Sequence, residues 1–239
     1  MVNKKYYAAK TVQKMFINSK NNGLVNKTSF LVVIYVFLMK ASLQNEIDVL
    51  RFIDHPNLIK LDSVYENENS FFMMFELFEG GNLRDYIEER GIMTEMQASL
   101  LIKLILKGVK YLHSKNIMHR DIKPENILFR SSNIFDKNQI VLADFGLATF
   151  NNVPKYVHGR CGTPGFFAPE IFCFSDENDH YGLKCDLFSV GVTLFYILTG
   201  EMPFPGKRQL QTENRKCLFD FSKMSKLSKS GFFYFETKF

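Results

Sequence analysis

Three short segments carry side chains of the types that do chemistry: HRDIKPEN at residues 119–126, DFG at 144–146 and APE at 168–170. The first lies between a long predicted helix and a short predicted strand, and the second directly follows a strand. Asn126 and Asp144 offer amide and carboxylate oxygens, the hard ligands that Mg²⁺ prefers. An isolated DFG arises readily by chance, whereas the three segments in this order and setting are very specific.

This combination of motifs resembles the eukaryotic-type protein kinases of the Ser/Thr class. The chain is most similar to the calcium/calmodulin-dependent kinase group through CGTPGFFAPE at residues 161–170 and LTGEMPFPG at 198–206. The resemblance implies an α+β fold with two lobes, a small β-rich one and a mostly helical large one. It also implies ATP-dependent transfer of phosphate to Ser or Thr of proteins, with Mg²⁺ as the cofactor.

The resemblance assigns a role to each polar side chain of these loops. Phosphoryl transfer needs a positioned hydroxyl and cations at the developing charge. We expect Asp121 to accept or orient the hydroxyl proton and Lys123 to reach the γ-phosphate. Asn126 and Asp144 are expected to bind Mg²⁺ together with the nucleotide phosphates. Thr163 is similar to the residue that supports the same lysine in Ser/Thr kinases.

A lysine of the small lobe, held by a helix glutamate, is expected to bind the α- and β-phosphates. Glu46 matches the glutamate, and Lys10 and Lys40 are both candidates for the lysine. Lys10 ends YAAK, which resembles the V-A-I-K strand of the family, although it also fits a surface lysine. Lys40 lies only six positions before Glu46, which leaves no room to turn into the helix. Lys10 is therefore preferred, and residues 18–40 are predicted to contain an insertion.

The same correspondence outlines a nucleotide pocket. Phe75 is expected to be the bulky residue at its back, and Leu128 its apolar floor. Glu76 and Phe78 are expected to offer a backbone carbonyl and amide to the adenine. Asn82 lies where many relatives carry an acidic residue for the ribose or for a basic side chain of the substrate.

A hydrophobic spine that joins the lobes is also implied by the resemblance. Leu50, Leu61, His119 and Phe145 are expected to stack on one another. Asp186, on a helix that is apolar nearly all round, is expected to anchor the loop that carries Asp121.

Substrate choice and regulation have fewer indications in the sequence. Glu125 is expected to recognise a basic residue near the target Ser or Thr, and Asn82 in place of an acid weakens that preference. Arg120 suggests a cationic pocket for a phosphorylated loop. Between Phe150 and Arg160 the only hydroxyl side chain is Tyr156, so the loop is expected to order without Ser or Thr phosphorylation.

Hydrophobic periodicity predicts the elements that must position these residues. A helix is predicted before His55-Pro56, and Thr94 with Gln97 forms a capping box that begins a long helix. The remaining predictions are strands at Lys60–Tyr65, Phe71–Phe75, Ile127–Phe129 and Ile140–Ala143, and helices at Asn82–Arg90 and Leu183–Leu198.

Composition excludes several classes of protein. The chain has 239 residues and is 46% hydrophobic, which excludes a wholly disordered chain. A net charge of +5 is small and not concentrated enough to indicate nucleic-acid binding by itself. Four Cys without paired spacing favour a reduced protein, so a cytoplasmic location is expected. A monomer is also expected. The apolar run Phe30–Met39 is well short of the roughly 20 residues that span a bilayer, so no membrane span is expected.

The kinase-like region is predicted to cover residues 5–221, with a partial small lobe at 5–77 and a partial large lobe at 78–221. Residues 222–239 form a tail without a place in the family pattern. The Gly-rich loop that covers the phosphates and the last helices of the large lobe are not found in the sequence. A catalytically impaired kinase fragment or a pseudokinase-like binding module is therefore the alternative to an active Ser/Thr kinase.

Overall fold

The computed structural model describes residues 6–14, 41–132, 139–151, 160–173 and 181–204, together with Ser222 and Ser228. The predicted insertion at 18–40 lies outside the described residues, as does Tyr156. The same holds for the predicted tail at 222–239, apart from the two serines.

The small lobe is built on a three-stranded antiparallel sheet in the order β1-β3-β2. Its strands are β1 (Tyr7–Gln13), β2 (Leu61–Glu66) and β3 (Ser70–Glu76). Side chains along β1 alternate between exposed and half-buried, as the two-residue period of a strand requires. In this register Lys10 of β1 lies opposite Met73, which is fully buried in the central strand.

Helix α1, described over residues 41–52, packs on this sheet. Leu43, Ile47 and Leu50 recur at helical spacing and are buried on the same face. The helix ends before His55-Pro56, because the residue preceding a proline is disfavoured in helical conformation. Glu46 shares the buried side of α1, which brings a carboxylate toward the sheet.

The large lobe is mostly helical. Thr94 and Gln97 make both hydrogen bonds of a capping box at the start of its longest helix, which packs against a second, almost wholly buried helix. The helices are α2 (Leu83–Arg90), α3 (Glu95–Ser114), α4 (Pro169–Cys173) and α5 (Lys184–Thr199), with a 3₁₀ turn at Pro124–Asn126.

Two pairs of short antiparallel strands hold the loops that carry the motifs. Strand β4 (Ile117–Met118) pairs with β7 (Thr149–Phe150), and β5 (Ile127–Phe129) pairs with β6 (Ile140–Leu142). The HRD segment leaves β4 and returns at β5, while the DFG segment lies between β6 and β7. The pairing therefore holds both loops on one side of the large lobe.

The lobes are joined behind these loops by the segment after α1. Asn57 donates a side-chain hydrogen bond to the carbonyl of Ile140 at 3.0 Å, and the Ile59 amide donates to the carbonyl of Leu142 at 2.9 Å. Gly108 of α3 permits this close approach, since a Cβ there would lie 2.9 Å from a Leu58 methyl. The small-lobe segment is thus fixed to the strand that precedes DFG.

Most predicted elements are present within one residue of their expected ends, whereas β4, β7 and α4 were not predicted. Strands of two residues are too short to leave a periodic pattern in the sequence. Across the described ranges, no helix combines the length and the apolar character needed to cross a membrane. The run Phe30–Met39 is not among those residues.

Candidate active site

Three charged side chains from three separate elements meet between the lobes. Lys10 Nζ of β1 lies 2.6 Å from Glu46 Oε1 of α1 and 3.1 Å from Asp144 Oδ1, which follows β6. Glu46 is buried, while Lys10 and Asp144 remain partly open. The Lys10–Glu46 pair anticipated from the sequence is therefore present, and it extends to Asp144. Lys40 lies outside the described residues.

The ionisation of this cluster follows from its contacts. Burial lowers the pKa of Lys10, but the hydrogen bonds and charges of Glu46 and Asp144 outweigh it, so the net shift is upward. Burial raises the pKa of Asp144, but the Lys10 charge and hydrogen bond outweigh it, so the net shift is downward. Both groups are therefore charged at neutral pH, leaving a cation and a carboxylate directed at the cleft.

A second polar cluster surrounds Asp121. Its Oδ1 accepts a hydrogen bond from the Thr163 hydroxyl at 2.6 Å, and its Oδ2 lies 2.8 Å from Lys123 Nζ. Lys123 also donates to Thr163 at 2.7 Å, and Asn126 donates to the backbone carbonyl of Asp121 at 2.8 Å. A carboxylate, an ammonium group and a hydroxyl are thus held together at one point, as transfer to a hydroxyl requires.

The oxygens of Asn126 and Asp144 fit the requirements of a hard divalent cation. The Asn126 amide nitrogen donates to Asp121, which orients the amide and leaves its Oδ1 without a hydrogen bond in the described part of the chain. Asp144 accepts its hydrogen bonds on Oδ1, from Lys10 and the Gly146 amide, so Oδ2 is likewise without one there. Two protein oxygens suit Mg²⁺, which usually completes its shell with phosphates and water.

The loop before Asp121 has a strained backbone that a buried carboxylate stabilises. Arg120 has a φ of 67°, a conformation uncommon for residues other than glycine. Asp186 is fully buried and accepts hydrogen bonds from the backbone amides of His119 at 3.0 Å and Arg120 at 2.8 Å. His113 of α3 lies 2.9 Å from the same carboxylate. The predicted anchoring contacts of Asp186 are thus present.

The predicted spine residues lie in one continuous apolar core. The rings of His119 and Phe145 meet edge to face with centroids 4.8 Å apart, and both are fully buried. Leu50 of α1 is buried and Leu61 of β2 packs against the same cluster. Since Phe145 follows Asp144 directly, this packing fixes the carboxylate in the cleft.

A cleft of about 340 Å³ opens beside the charged triad. Lys10, Glu46 and Asp144 form its polar wall. The remaining lining residues are apolar: Ala8, Ala9, Leu50, Ile59, Phe75 and Phe145. Phe75 therefore lines a cavity next to Lys10, the candidate for phosphate binding. The family resemblance predicted Phe75 at the back of the nucleotide pocket.

The other predicted nucleotide contacts lie away from that lining. Glu76 ends β3 and its exposed carboxylate is paired with Arg130. Phe78 makes no backbone–backbone hydrogen bond within the described residues. Asn82 uses its side chain to cap α2, and Leu128 pairs with it in a single β-bridge. These four residues border the link between the lobes.

Two further residues near the site were not singled out for these contacts by the sequence. Arg130 lies over the Phe78 ring at 5.3 Å and pairs with Glu76, so it connects the large lobe to the inter-lobe link. Tyr181 accepts a hydrogen bond from Arg120 at 3.1 Å. Neither residue belongs to a motif, and both contacts join segments far apart in the chain, so no local pattern indicates them.

His119 gives the stability of the fold a predictable pH dependence. The ring is neutral, because Nδ1 accepts from the Asp121 amide at 3.3 Å and Nε2 lies 3.0 Å from the carbonyl of Ala143. Burial lowers the pKa of His119, despite opposing effects of Asp186 and Ala143. In the unfolded chain His119 therefore binds a proton near pH 6.5, whereas in the folded chain it stays neutral at that pH.

At pH values below about 6.5 we expect the free energy of unfolding to decrease as the pH is lowered. His119 is expected to contribute up to about 1.4 kcal/mol per pH unit to this slope. Urea unfolding followed by circular dichroism at several pH values measures this slope. His119→Phe keeps a ring against Phe145 and removes the titrating group. The slope of the free energy of unfolding against pH should therefore decrease by up to about 1.4 kcal/mol per pH unit, the contribution of one proton. Equal slopes in both proteins would show that His119 is not the titrating group.

Comparison with known proteins agrees with this geometry. The sequence model of the protein kinase domain matches residues 2–233. The chain belongs to the protein kinase domain family. This kinase domain is 39% identical over 196 residues to a probable serine/threonine-protein kinase, fhkE, of Dictyostelium discoideum, covering 80% of this chain and 28% of that protein. It is also 39% identical over 194 residues to probable serine/threonine-protein kinase 2 of Plasmodium falciparum, covering 80% and 36%.

The kinase domain accordingly has the two-lobed α+β fold of its family. It spans about a third of the length of the curated relatives that it matches.

Proposed function

We propose that this kinase domain transfers the γ-phosphate of ATP to Ser or Thr side chains of proteins. The observation that carries the proposal is the meeting of Lys10, Glu46 and Asp144 at 2.6 and 3.1 Å between the lobes. These groups come from elements far apart in sequence, and their charges are those that nucleotide phosphates and a metal require. Names of relatives as probable Ser/Thr kinases support the same conclusion.

Each part of the site contributes one step. Lys10, held by Glu46, binds the non-transferred phosphates, and the cleft beside Phe75 receives the base. Mg²⁺, when bound, neutralises the charge that develops on the phosphates, and Asn126 and Asp144 are the residues that would hold it. Asp121 orients the incoming hydroxyl and accepts its proton, while Lys123 stabilises the transferred group.

The acceptor class is proposed from the arrangement around Lys123. Its ammonium group bridges Asp121 at 2.8 Å and Thr163 at 2.7 Å, and so lies directly beside the group that orients the hydroxyl. Lys123 in KPEN and Thr163 also resemble the pattern of Ser/Thr kinases, which supports a Ser or Thr acceptor. We extend the proposal to the calcium/calmodulin-dependent kinase group on the two motifs at 161–170 and 198–206.

Three peptides that differ only in the acceptor, Ser, Thr or Tyr, test this function. With ATP and Mg²⁺ we expect transfer to the Ser and Thr peptides at least about tenfold faster than to the Tyr peptide. Labelled phosphate incorporated per minute is the measurement, and a peptide with Ala at the acceptor is the control.

Preference for Tyr would contradict the proposed acceptor class. If no peptide is phosphorylated and Mg²⁺-ATP does not raise the melting temperature, the enzyme proposal fails. The alternative, a domain that binds a partner without catalysis, would then be favoured.

A further inference from the structure

An arginine of the chain itself, Arg84, contacts Glu125, which lies beside the loop that carries Asp121. Glu125 lies in the 3₁₀ turn that follows Lys123, four positions after Asp121. Arg84 Nη1, from the first turn of α2, lies 2.7 Å from Glu125 Oε1. The two residues are 41 positions apart, so the contact is a product of the fold.

One oxygen of Glu125 is paired with Arg84 and the other is buried. Oε1 accepts the hydrogen bond from Arg84, and Oε2 is buried without a hydrogen-bond partner among the described residues. A substrate lysine or arginine would therefore need Arg84 to move before it could reach this carboxylate. The sequence predicted that a basic residue of the substrate binds Glu125, but in the structure Arg84 already lies there.

Arg84 is held in place from a second side. Its Nε donates to Glu88 Oε1 at 2.8 Å, one helical turn further along α2. The hydrogen bonds to Glu125 and Glu88 raise the pKa of Arg84 further, so it is charged at every accessible pH. The planar guanidinium thus bridges two carboxylates with two different nitrogens, a geometry that lysine cannot reproduce.

The neighbouring polar group offers no substitute. Asn82 accepts a hydrogen bond from the Asp85 amide at 3.0 Å and donates to the Asp85 carboxylate at 2.6 Å. Its amide is therefore used to begin α2, a few residues from Arg84. An arginine therefore lies at Glu125, where the sequence suggested a site for a basic side chain.

We propose that Arg84 occupies the cation-binding position at Glu125 and is a specificity-determining residue that reduces selection for basic substrates. This inference rests on the proposed kinase function. Because the Arg84–Glu125 pair is partly exposed, its strength is modest and a basic substrate competes with it. Arg84 therefore weakens selection for a basic substrate without abolishing it.

The test compares peptides with one Ser and a single Arg placed at successive positions around it, against the same peptide without Arg. For the unmodified chain we expect kcat/KM to vary by no more than about threefold across the set, since a partly exposed pair is displaced at modest cost. Arg84→Met keeps an unbranched apolar stem and removes the charge. In that variant we expect one Arg position to be preferred by about tenfold.

Two further variants isolate the contact. Arg84→Met combined with Glu125→Gln should return to the flat profile, because the exposed carboxylate is gone. Arg90→Met removes the same charge from the last turn of α2, where Arg90 lies over the Tyr86 ring instead of Glu125. Its profile should match the unmodified chain. A changed profile in Arg90→Met would assign the effect to general charge, which overturns the proposal.

Equilibrium binding of the same fluorescent peptides, measured by anisotropy without ATP, separates this inference from the proposed function. If no variant transfers phosphate but Arg84→Met binds an Arg-containing peptide about tenfold more tightly, the inference stands and the kinase function fails. If the unmodified chain already selects an Arg position by tenfold, or Arg84→Met has a flat profile in both assays, Arg84 does not fill the site.

Discussion

Asp144→Asn is expected to reduce kcat for phosphoryl transfer on the order of a thousandfold while leaving the fold intact. The substitution preserves the shape of the side chain and removes its negative charge. Asp144 accepts hydrogen bonds on Oδ1 from Lys10 at 3.1 Å and from the Gly146 amide at 3.4 Å. Its second oxygen makes no hydrogen bond within the described residues, and we propose that it holds Mg²⁺.

The size of the effect follows from the position of the charge. The pKa of Asp144 is lowered, because Lys10 more than offsets the effect of burial, so the native residue is fully ionised at pH 7. An amide retains one oxygen but lacks the charge that binds the cation. It also leaves Lys10 with Glu46 as its only carboxylate partner in the described chain. Metal binding and phosphate positioning therefore weaken together.

The measurement is kcat and KM for ATP as a function of Mg²⁺ concentration, with the melting temperature as a check on folding. Asp48→Asn provides a matched control, since Asp48 is exposed on α1 and, among the described residues, its side chain accepts a hydrogen bond only from Gln44 of the same helix, at 2.8 Å. We expect the control to behave like the unmodified chain. If Asp144→Asn keeps more than about a tenth of the activity, Asp144 does not hold the metal.

Asp186→Ala is expected to lower the free energy of unfolding by about 3–5 kcal/mol, a loss that few single substitutions produce. The fully buried carboxylate accepts from the backbone amides of His119 and Arg120, and lies 2.9 Å from the His113 ring. Each buried donor left without an acceptor costs about 1–3 kcal/mol. The positive φ of Arg120 also loses the contact that stabilises it.

Asp186→Asn separates hydrogen bonding from packing. It fills the same volume and keeps one oxygen, so one of the two backbone amides retains its acceptor. We expect a loss roughly half that of the alanine variant. Unfolding in urea is best followed by far-ultraviolet circular dichroism, because the chain contains no Trp to report by fluorescence.

The activity of the Asp186 variants provides an independent check. Displacement of the loop moves Asp121, so kcat should fall even under conditions where the variants remain folded. Asp48→Ala again serves as the surface control, with an expected change within about 0.5 kcal/mol. A loss below about 1 kcal/mol for Asp186→Ala would show that water or a neighbouring group replaces the carboxylate.

Much of this fold was predictable because its information is local. Apolar periodicity predicted α1 and α3, and a segment that is apolar nearly all round predicted α5. The Thr94–Gln97 capping box predicted the start of α3 within one residue. Loop motifs predicted where the polar chemistry lies, since HRD and DFG have fixed spacing from the strands around them. These features depend on residues within a few turns of one another, which a sequence displays directly.

The distances between residues far apart in the chain required the tertiary structure, even where the family resemblance had predicted the partners, as for Lys10 with Glu46 and Thr163 with Lys123. The sequence favoured Lys10 over Lys40 as the phosphate-binding lysine, while the meeting of Lys10 with Glu46 and Asp144 depends on how β1, α1 and the loop after β6 pack. Cluster formation around Asp121 likewise brings in Thr163, 42 positions away. Such distances are set by packing of whole elements, which no local pattern encodes.

Through their resemblance to the protein kinases, the three opening motifs predicted phosphoryl transfer and the residues expected to carry it. They also suggested that Glu125 receives a basic side chain. The tertiary structure alone decided that Arg84, 41 positions earlier, reaches that carboxylate first. Helix α2 and the 3₁₀ turn pack side by side, which brings the Arg84 and Glu125 side chains within hydrogen-bonding distance. Residue identity thus predicted the reaction class, whereas packing decided that the Glu125 carboxylate is paired with Arg84.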